Sequence, residues 1–286
     1  MSCDRAVIAV GGYGTRMMPW SYAMEKAMLP IVDNRGNTPI VRPVVDFIVQ
    51  DCIDAGITDI TFIHSASANG LKTYYTGNAN ADRHLKRNGK HELLQAIHSI
   101  GEQATFHFIE QPDNGMYGTS VPLKLARDVV DQPGQTLYLL GDQFFDGAGS
   151  QAARLLRDTA AAGTTTGMLT LPVAPDEINQ YGIVLTDEQG YLREIREKPA
   201  IGSVDATNAN VGICVVDQTI LAYLDNTPAH ASGEFYFTDV ISAYANSLPS
   251  NGQPHKVAVV PAQGVYLDCG TPENYSYTLQ HMAAQA

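Results

Sequence analysis

The chain has 286 residues, 44% apolar and 17% charged, with a formal net charge of −12. That length and composition fit one large α/β domain or two small ones and exclude a disordered chain, while the negative charge and the lack of a basic stripe argue against a nucleic-acid partner. Cys3, Cys52, Cys214 and Cys269 form no CxxC pair, which argues against a zinc site. They are expected to be free thiols in a reducing compartment. No signal-peptide pattern and no apolar run of roughly 18–20 residues is present, so a cytoplasmic protein without membrane contact is expected.

In chain order, Ala6 to Val10 is a continuous apolar run that predicts a strand buried on both faces, ending at Gly11-Gly12-Tyr13-Gly14. A helix is predicted from Ile40 to Ala55, with Val44, Val45, Ile48, Val49, Cys52 and Ile53 on one face and Gly56 as its stop. The next strand is predicted at Asp59 to His64, which completes a strand–helix–strand unit of the parallel, right-handed kind. Ala66 to Gly101 is polar with weak periodicity and reads as a partly helical insertion. Its basic cluster, His84 to Arg87 with Lys90 and His91, reads as a solvated helix face. Strands are expected at 106–109, 136–140 and 167–173, and helices at 121–130 and 151–162. This alternation predicts an α/β fold with a doubly wound open sheet. Beyond about residue 175 the predicted strands shorten (182–186, 192–197, 211–216 and 257–260), with helices at 219–224, 238–246 and from Pro272. A single domain over 1–286 is expected, a nucleotide-binding core over about 1–175 and a C-terminal extension over 176–286 packed on the same sheet.

Five segments carry chemistry-bearing residues. Gly11-Gly12-Tyr13-Gly14-Thr15-Arg16 follows the first strand, where a glycine-rich turn lets backbone N–H groups approach a phosphate. A dinucleotide fingerprint fails because Met17 stands where a third glycine is needed, and a P-loop fails for want of Gly-Lys-Ser/Thr. A phosphate loop with its own arginine remains, against a plain tight turn. Lys26 follows as a point charge able to fold back on phosphates, or as a surface lysine. Asp142 closes the strand Leu139-Leu140-Gly141, at the edge where open α/β sheets bind ligands, and offers a hard oxygen ligand for Mg²⁺ or a helix cap. Asp268, in Leu267-Asp268-Cys269-Gly270, offers a second carboxylate beside a helix start capped by Thr271 with Pro272 first. Glu197 and Lys198 would point to opposite faces of a strand unless Pro199 marks its end or a kink, and an exposed charged edge is the plainer reading.

The serial order Gly-x-Gly-Thr-Arg-Met-x-Pro, Lys-x-Met-Leu-Pro, Gly-Asp, Tyr-Gly-Ile-Val, Glu-Lys-Pro and Asp-Cys-Gly resembles the sugar-1-phosphate nucleotidyltransferases along nearly the whole chain. Within that family it looks closest to the bacterial UTP–glucose-1-phosphate uridylyltransferase branch, on Ile63-His64-Ser65, Asp268-Cys269-Gly270 and Gly233 to Asp239. The resemblance implies a Rossmann-like fold with a mixed sheet of the nucleotide-diphospho-sugar transferase type, and a reaction joining UTP to glucose 1-phosphate. It implies that Gly11, Gly12, Gly14, Thr15 and Arg16 hold nucleotide phosphates, with Gln111 and Gly115 reading the base edge. Arg16, Lys26 and Asp142 would serve catalysis, Asp142 and Asp268 would bind Mg²⁺, and Gly182, Glu197 and Lys198 would hold the sugar phosphate. Small-molecule substrates and a homo-oligomer, dimer or tetramer, are implied as partners. A thymidylyl- or cytidylyltransferase and a non-catalytic nucleotide-sugar-binding protein stay open as alternatives. The text departs from the branch at Tyr22, where a lysine is usual, at Glu25-Lys26-Ala27 in place of Pro-Lys-Glu, and in a shorter interval from Gln111 to Gly115.

Overall fold

A computed structural model describes residues 2–36, 38–66, 69–248 and 255–285; Ser67 and Ala68 of the polar insertion lie outside them. The chain opens with β1 (Cys3–Ala9), α1 (Trp20–Ala23), β2 (Pro30–Asp33), β3 (Ile40–Pro43), α2 (Val44–Asp54) and β4 (Asp59–His64). The insertion is helical: α3 (Asn69–Thr76), α4 (Ala79–Arg87) and α5 (His91–His98). Then follow β5 (Thr105–Glu110), α6 (Val121–Leu125), α7 (Arg127–Val130), β6 (Gln135–Leu140), β7 (Gln143–Asp146), α8 (Gln151–Ala161) and β8 (Thr166–Pro172). The last third holds β9 (Gly182–Thr186), β10 (Leu192–Glu197), β11 (Asn208–Asp217), α9 (Leu221–Asn226), α10 (Phe237–Asn246), β12 (Val257–Pro261), β13 (Val265–Asp268) and α11 (Pro272–Ala283). The fold is of the mixed α/β class, with parallel and antiparallel pairs in its central sheet. No helix among the described residues is long and apolar enough to cross a membrane. All four cysteines are free thiols.

The chain divides into two compact units interleaved in sequence. One comprises Met1–Val7, Asp113–Leu139 and Ser150–Gln263, the other Ile8–Pro112, Leu140–Gly149 and Gly264–Ala286. In the first, β11 pairs antiparallel with β6, β8 and β9, β10 pairs with β9, and β12 runs parallel to β8. Val211, Ile213, Val215 and Val216 of β11 are buried, as befits a strand flanked on both sides. In the second, β4 and β5 run parallel in register from Asp59 against Thr105 to His64 against Glu110. The end of β1 is held there by the Val10 N–H on the Ile63 carbonyl and the Gly141 N–H on the Ala9 carbonyl, both 2.9 Å. Two small ladders complete this unit, β2 with β3 and β7 with β13.

Two expectations are corrected. Ile40 to Pro43 is not helix but strand β3, paired with β2, and α2 starts only at Val44 with Pro43 as its N-cap. The residue before a proline is driven to extended backbone, and Pro43 suits a helix boundary, so the apolar periodicity read one turn too far back. The helix read over 121–130 is two short ones, interrupted at Ala126 (φ −85°, ψ 21°).

Candidate active site

In the second unit, β1 leads into Gly11 to Gly14. Gly14 has φ 59°, the left-handed region, and starts a 3₁₀ turn over Thr15–Met17. Its carbonyl accepts the Ser21 hydroxyl at 2.7 Å and the Met17 N–H at 2.8 Å. A Cβ on Gly14 would lie 3.1 Å from the Ser21 Cβ and 3.4 Å from the Lys26 Cβ, so glycine suits both backbone and packing here. A Cβ on Gly12 would meet nothing within 4 Å, and Gly12, Thr15 and Arg16 are exposed. The loop therefore offers open backbone, as a phosphate needs. Gly11 is buried, and a Cβ there would come 3.0 Å from Gln111 Oε1. Gln111 is tied by its N–H to the His64 carbonyl at 2.8 Å, which seats this sequence-predicted base reader beside the loop.

Asp142 and Asp268 come together through backbone. β13 runs antiparallel to β7 with Asp268 opposite Gln143, and the Cys269 N–H donates to the Asp142 carbonyl at 2.8 Å. Gly141 brings Asp142 close to the end of β1, since a Cβ at 141 would collide with Val10 and lie 3.0 Å from the Ala9 carbonyl. A Cβ on Gly270 would lie 2.9 Å from Asp268 Oδ1, 3.5 Å from Asp142 Oδ2 and 3.4 Å from an Arg16 guanidinium nitrogen. Arg16 and both carboxylates thus border one small space beside Gly270. Lys26 Nζ donates to Asp142 Oδ2. Asp268 accepts the Gly270 N–H at 2.7 Å and the Asn274 amide at 2.8 Å. Burial, and then the charge of Asp142, push the Asp268 carboxyl above its ordinary value, against the pull of Asn274, Gly270 and Lys26. The Cys269 thiol is pushed up to about 12, chiefly by burial, and stays neutral.

Two carboxylates at the ends of paired strands are a fitting donor set for Mg²⁺, which binds through one or two carboxylates and completes its shell with phosphates and water. Mutual repulsion between Asp142 and Asp268 is what a cation relieves. Among the described residues no group of three or more His, Cys, Asp or Glu gathers into an all-protein cage.

The other predicted positions belong to the first unit. Gly182 of β9 faces Glu197 of β10 in register, and a Cβ at 182 would lie 2.8 Å from Glu197 Oε2. The glycine leaves room for that carboxylate to lie across the strand. The Thr238 hydroxyl donates to Glu197 Oε2 at 3.4 Å. Burial raises the Glu197 carboxyl above its usual range, with Lys198 and Thr238 opposing and Asp239 and Glu234 adding to the rise. β10 ends at Glu197, and Lys198 has φ 45°, the one left-handed residue other than glycine among the described residues. The strand end expected from Pro199 is present at this pair, and the turn at Lys198 frees Glu197 and Lys198 from strand alternation. Gly115 has φ 80° in a loop where Asn114 Oδ1 accepts the Met116 N–H at 3.1 Å. That loop is buttressed by the Phe235 N–H on the Tyr117 carbonyl at 2.9 Å and by Gly118, whose α-carbon packs against the Phe235 backbone.

Asn274 and Thr238 escaped the sequence reading. Thr238 lies in the phrase Gly233 to Asp239, which carried a resemblance but no role. Asn274 follows its carboxylate by six residues, and only the helix start at Thr271 hinted at a turn back toward Asp268.

The chain matches the nucleotidyl transferase family model over residues 5–285. It is 30% identical over 242 residues to a UTP–glucose-1-phosphate uridylyltransferase of Bacillus subtilis, covering 83% of this chain and 78% of that protein. It is 28% identical over 245 residues to the enzyme of that name from Streptococcus pneumoniae, covering 83% and 78%. Among solved structures it matches a UTP-bound UGPase from Acinetobacter baumannii with a TM-score of 0.85 at 25% identity, covering 100% of this chain and 95% of that one.

Proposed function

The chain belongs to the nucleotidyl transferase family, and from that premise we propose that it transfers a uridylyl group from UTP to glucose 1-phosphate, releasing pyrophosphate. The observation that carries the proposal is the convergence of Arg16, Lys26, Asp142 and Asp268 at the strand ends beside an open glycine loop. The choice of UTP and glucose 1-phosphate rests on relatives of that name and on the UTP-bound structural neighbour.

The reaction needs no nucleophile from the protein, because the sugar phosphate is ionised at neutral pH and its oxygen attacks the α-phosphorus in line. The obstacle is repulsion between two anions, so catalysis consists of positioning and charge stabilisation. The Gly11 to Gly14 backbone and Thr15 receive the triphosphate, and Arg16 supplies a fork of donors to its oxygens. Lys26 leaves Asp142 for the phosphates as they arrive. Bound at Asp142 and Asp268, Mg²⁺ would neutralise charge on the triphosphate. Gln111 and Gly115 read the uracil edge. Gly182, Glu197 and Lys198 hold the sugar phosphate, the carboxylate accepting from sugar hydroxyls and the lysine meeting the phosphate.

Pyrophosphate release from glucose 1-phosphate, measured with UTP, dTTP, CTP, ATP and GTP in turn, tests this. UTP-dominated release abolished by EDTA is expected. Dominance of another nucleotide would move the specificity. No release by folded protein that still binds a nucleotide sugar would overturn the catalytic reading.

A further inference from the structure

The two carboxylates are held in unlike ways. Asp142 is paired with a cation of the protein itself, Lys26. Asp268 is held by neutral donors on both oxygens: Oδ1 takes the Gly270 N–H at 2.7 Å and Oδ2 takes Asn274 Nδ2 at 2.8 Å. The first bond is local, the i to i+2 turn that any aspartate ending a strand can make. The second arrives from a different element and removes the rotational freedom that the local turn leaves.

Asn274 is itself fixed. Thr271 caps α11, and its hydroxyl accepts the Asn274 N–H at 3.2 Å, with Pro272 in the first helical position. At this third position a Glu or Gln reaches back to the cap residue's own N–H. Asn is one carbon shorter, and its amide instead turns to Asp268. An ionised carboxylate offers about two acceptor sites on each oxygen. One site per oxygen is used by Gly270 and Asn274, and one per oxygen remains. A lysine or arginine in place of Asn274 would orient the carboxylate but compete with any cation for it. An amide orients it and leaves its charge whole.

Building on the function proposed above, we propose that Asn274 is the positioning residue for the cation site: it fixes the Asp268 carboxylate beside Gly270, where it and Asp142 together take a divalent metal ion. Asn274 touches neither substrate nor metal and acts through Asp268 alone.

Mn²⁺ binding in the presence of UTP, read from the electron paramagnetic resonance signal of the protein-bound ion after subtraction of the Mn²⁺–UTP signal recorded without protein, tests the assignment without relying on turnover. Asn274→Ala is expected to weaken Mn²⁺ binding about 10-fold or more, the usual loss when a ligand's orienting partner is removed. The KM for glucose 1-phosphate should stay unchanged, and kcat should recover as Mg²⁺ is raised. Asn274→Leu keeps the side-chain volume without the donor and should behave alike. Thr271→Ala, which loosens Asn274 but keeps its amide, should lower the Tm and weaken Mn²⁺ binding by clearly less than either Asn274 variant. Unaltered Mn²⁺ affinity in both Asn274 variants, or an equal loss in Thr271→Ala, would overturn the role of Asn274 while leaving the enzyme reading intact. A wild-type protein that takes up no Mn²⁺ with UTP would overturn the metal site itself, and Asn274's role with it.

Discussion

Lys26 and Asp142 form an ion pair at the strand ends. Their ion pair is only partly exposed on both sides, 19% each, so neither charge is fully solvated and neither is deeply buried. On the proposed mechanism, replacing Lys26 by Ala takes a cation away from the reacting phosphates, and loss of one such contact typically costs about 10²–10³ in rate. Steady-state kcat with UTP and glucose 1-phosphate should fall by that order, and wild-type turnover would remove Lys26 from the mechanism. Gly182 invites a second substitution. A methyl there would sit 2.8 Å from Glu197 Oε2 and force the carboxylate aside. Gly182→Ala should therefore raise the KM for glucose 1-phosphate while leaving the KM for UTP near wild type, as separate substrate titrations would show. At this scale the sequence marked most of the chemistry-bearing positions one at a time. The pairing of Asp142 with Asp268 was expected from the family resemblance; the means of it was not legible, because they meet through the Cys269 N–H, a backbone contact that carries no residue-type signal.

Among elements, the β2–β3 hairpin and α2 are tied by charge. Asp33 accepts from Arg35 at 2.8 Å and from Arg42 at 2.9 Å, and Arg42 also donates to Asp46 at 2.7 Å. Burial alone would raise the Asp33 carboxyl, but the hydrogen bonds of Arg35 and Arg42 outweigh it and hold the pKa at about 2. A carboxyl depressed on folding adds stability that is fully present above its unfolded value, about 3.9, and drains away as the pH falls toward 2. Asp46 acts in the other direction: burial raises it despite Arg42, Tyr74 and Tyr75. Between pH 4 and 2, Asp33→Asn should flatten the loss of Tm seen in wild type; an unchanged slope would assign the acid sensitivity elsewhere. The same hairpin explains where sequence reading was blind. β2, β3, β7 and β13 have four residues each, too few for alternation to register. By contrast β4, β9 and β10 fall on the predicted residues, β4 and β9 as apolar-rich runs and β10 as the charged strand Leu192–Glu197 closed by Pro199.

For the whole molecule, net charge governs behaviour in solution. With a sequence pI near 4.9, solubility should pass through a minimum close to that pH, measurable by light scattering across a titration. The interleaving of the two units has a consequence for how the protein is made. Asp142 emerges from the ribosome well before the strand that places Asp268 beside it and the helix bearing Asn274, both of which belong to the segment Gly264–Ala286. The nascent chain thus carries its glycine loop, its lysine and one carboxylate for a long stretch of synthesis without their counterpart, and the pair closes only when β13 and α11 have followed.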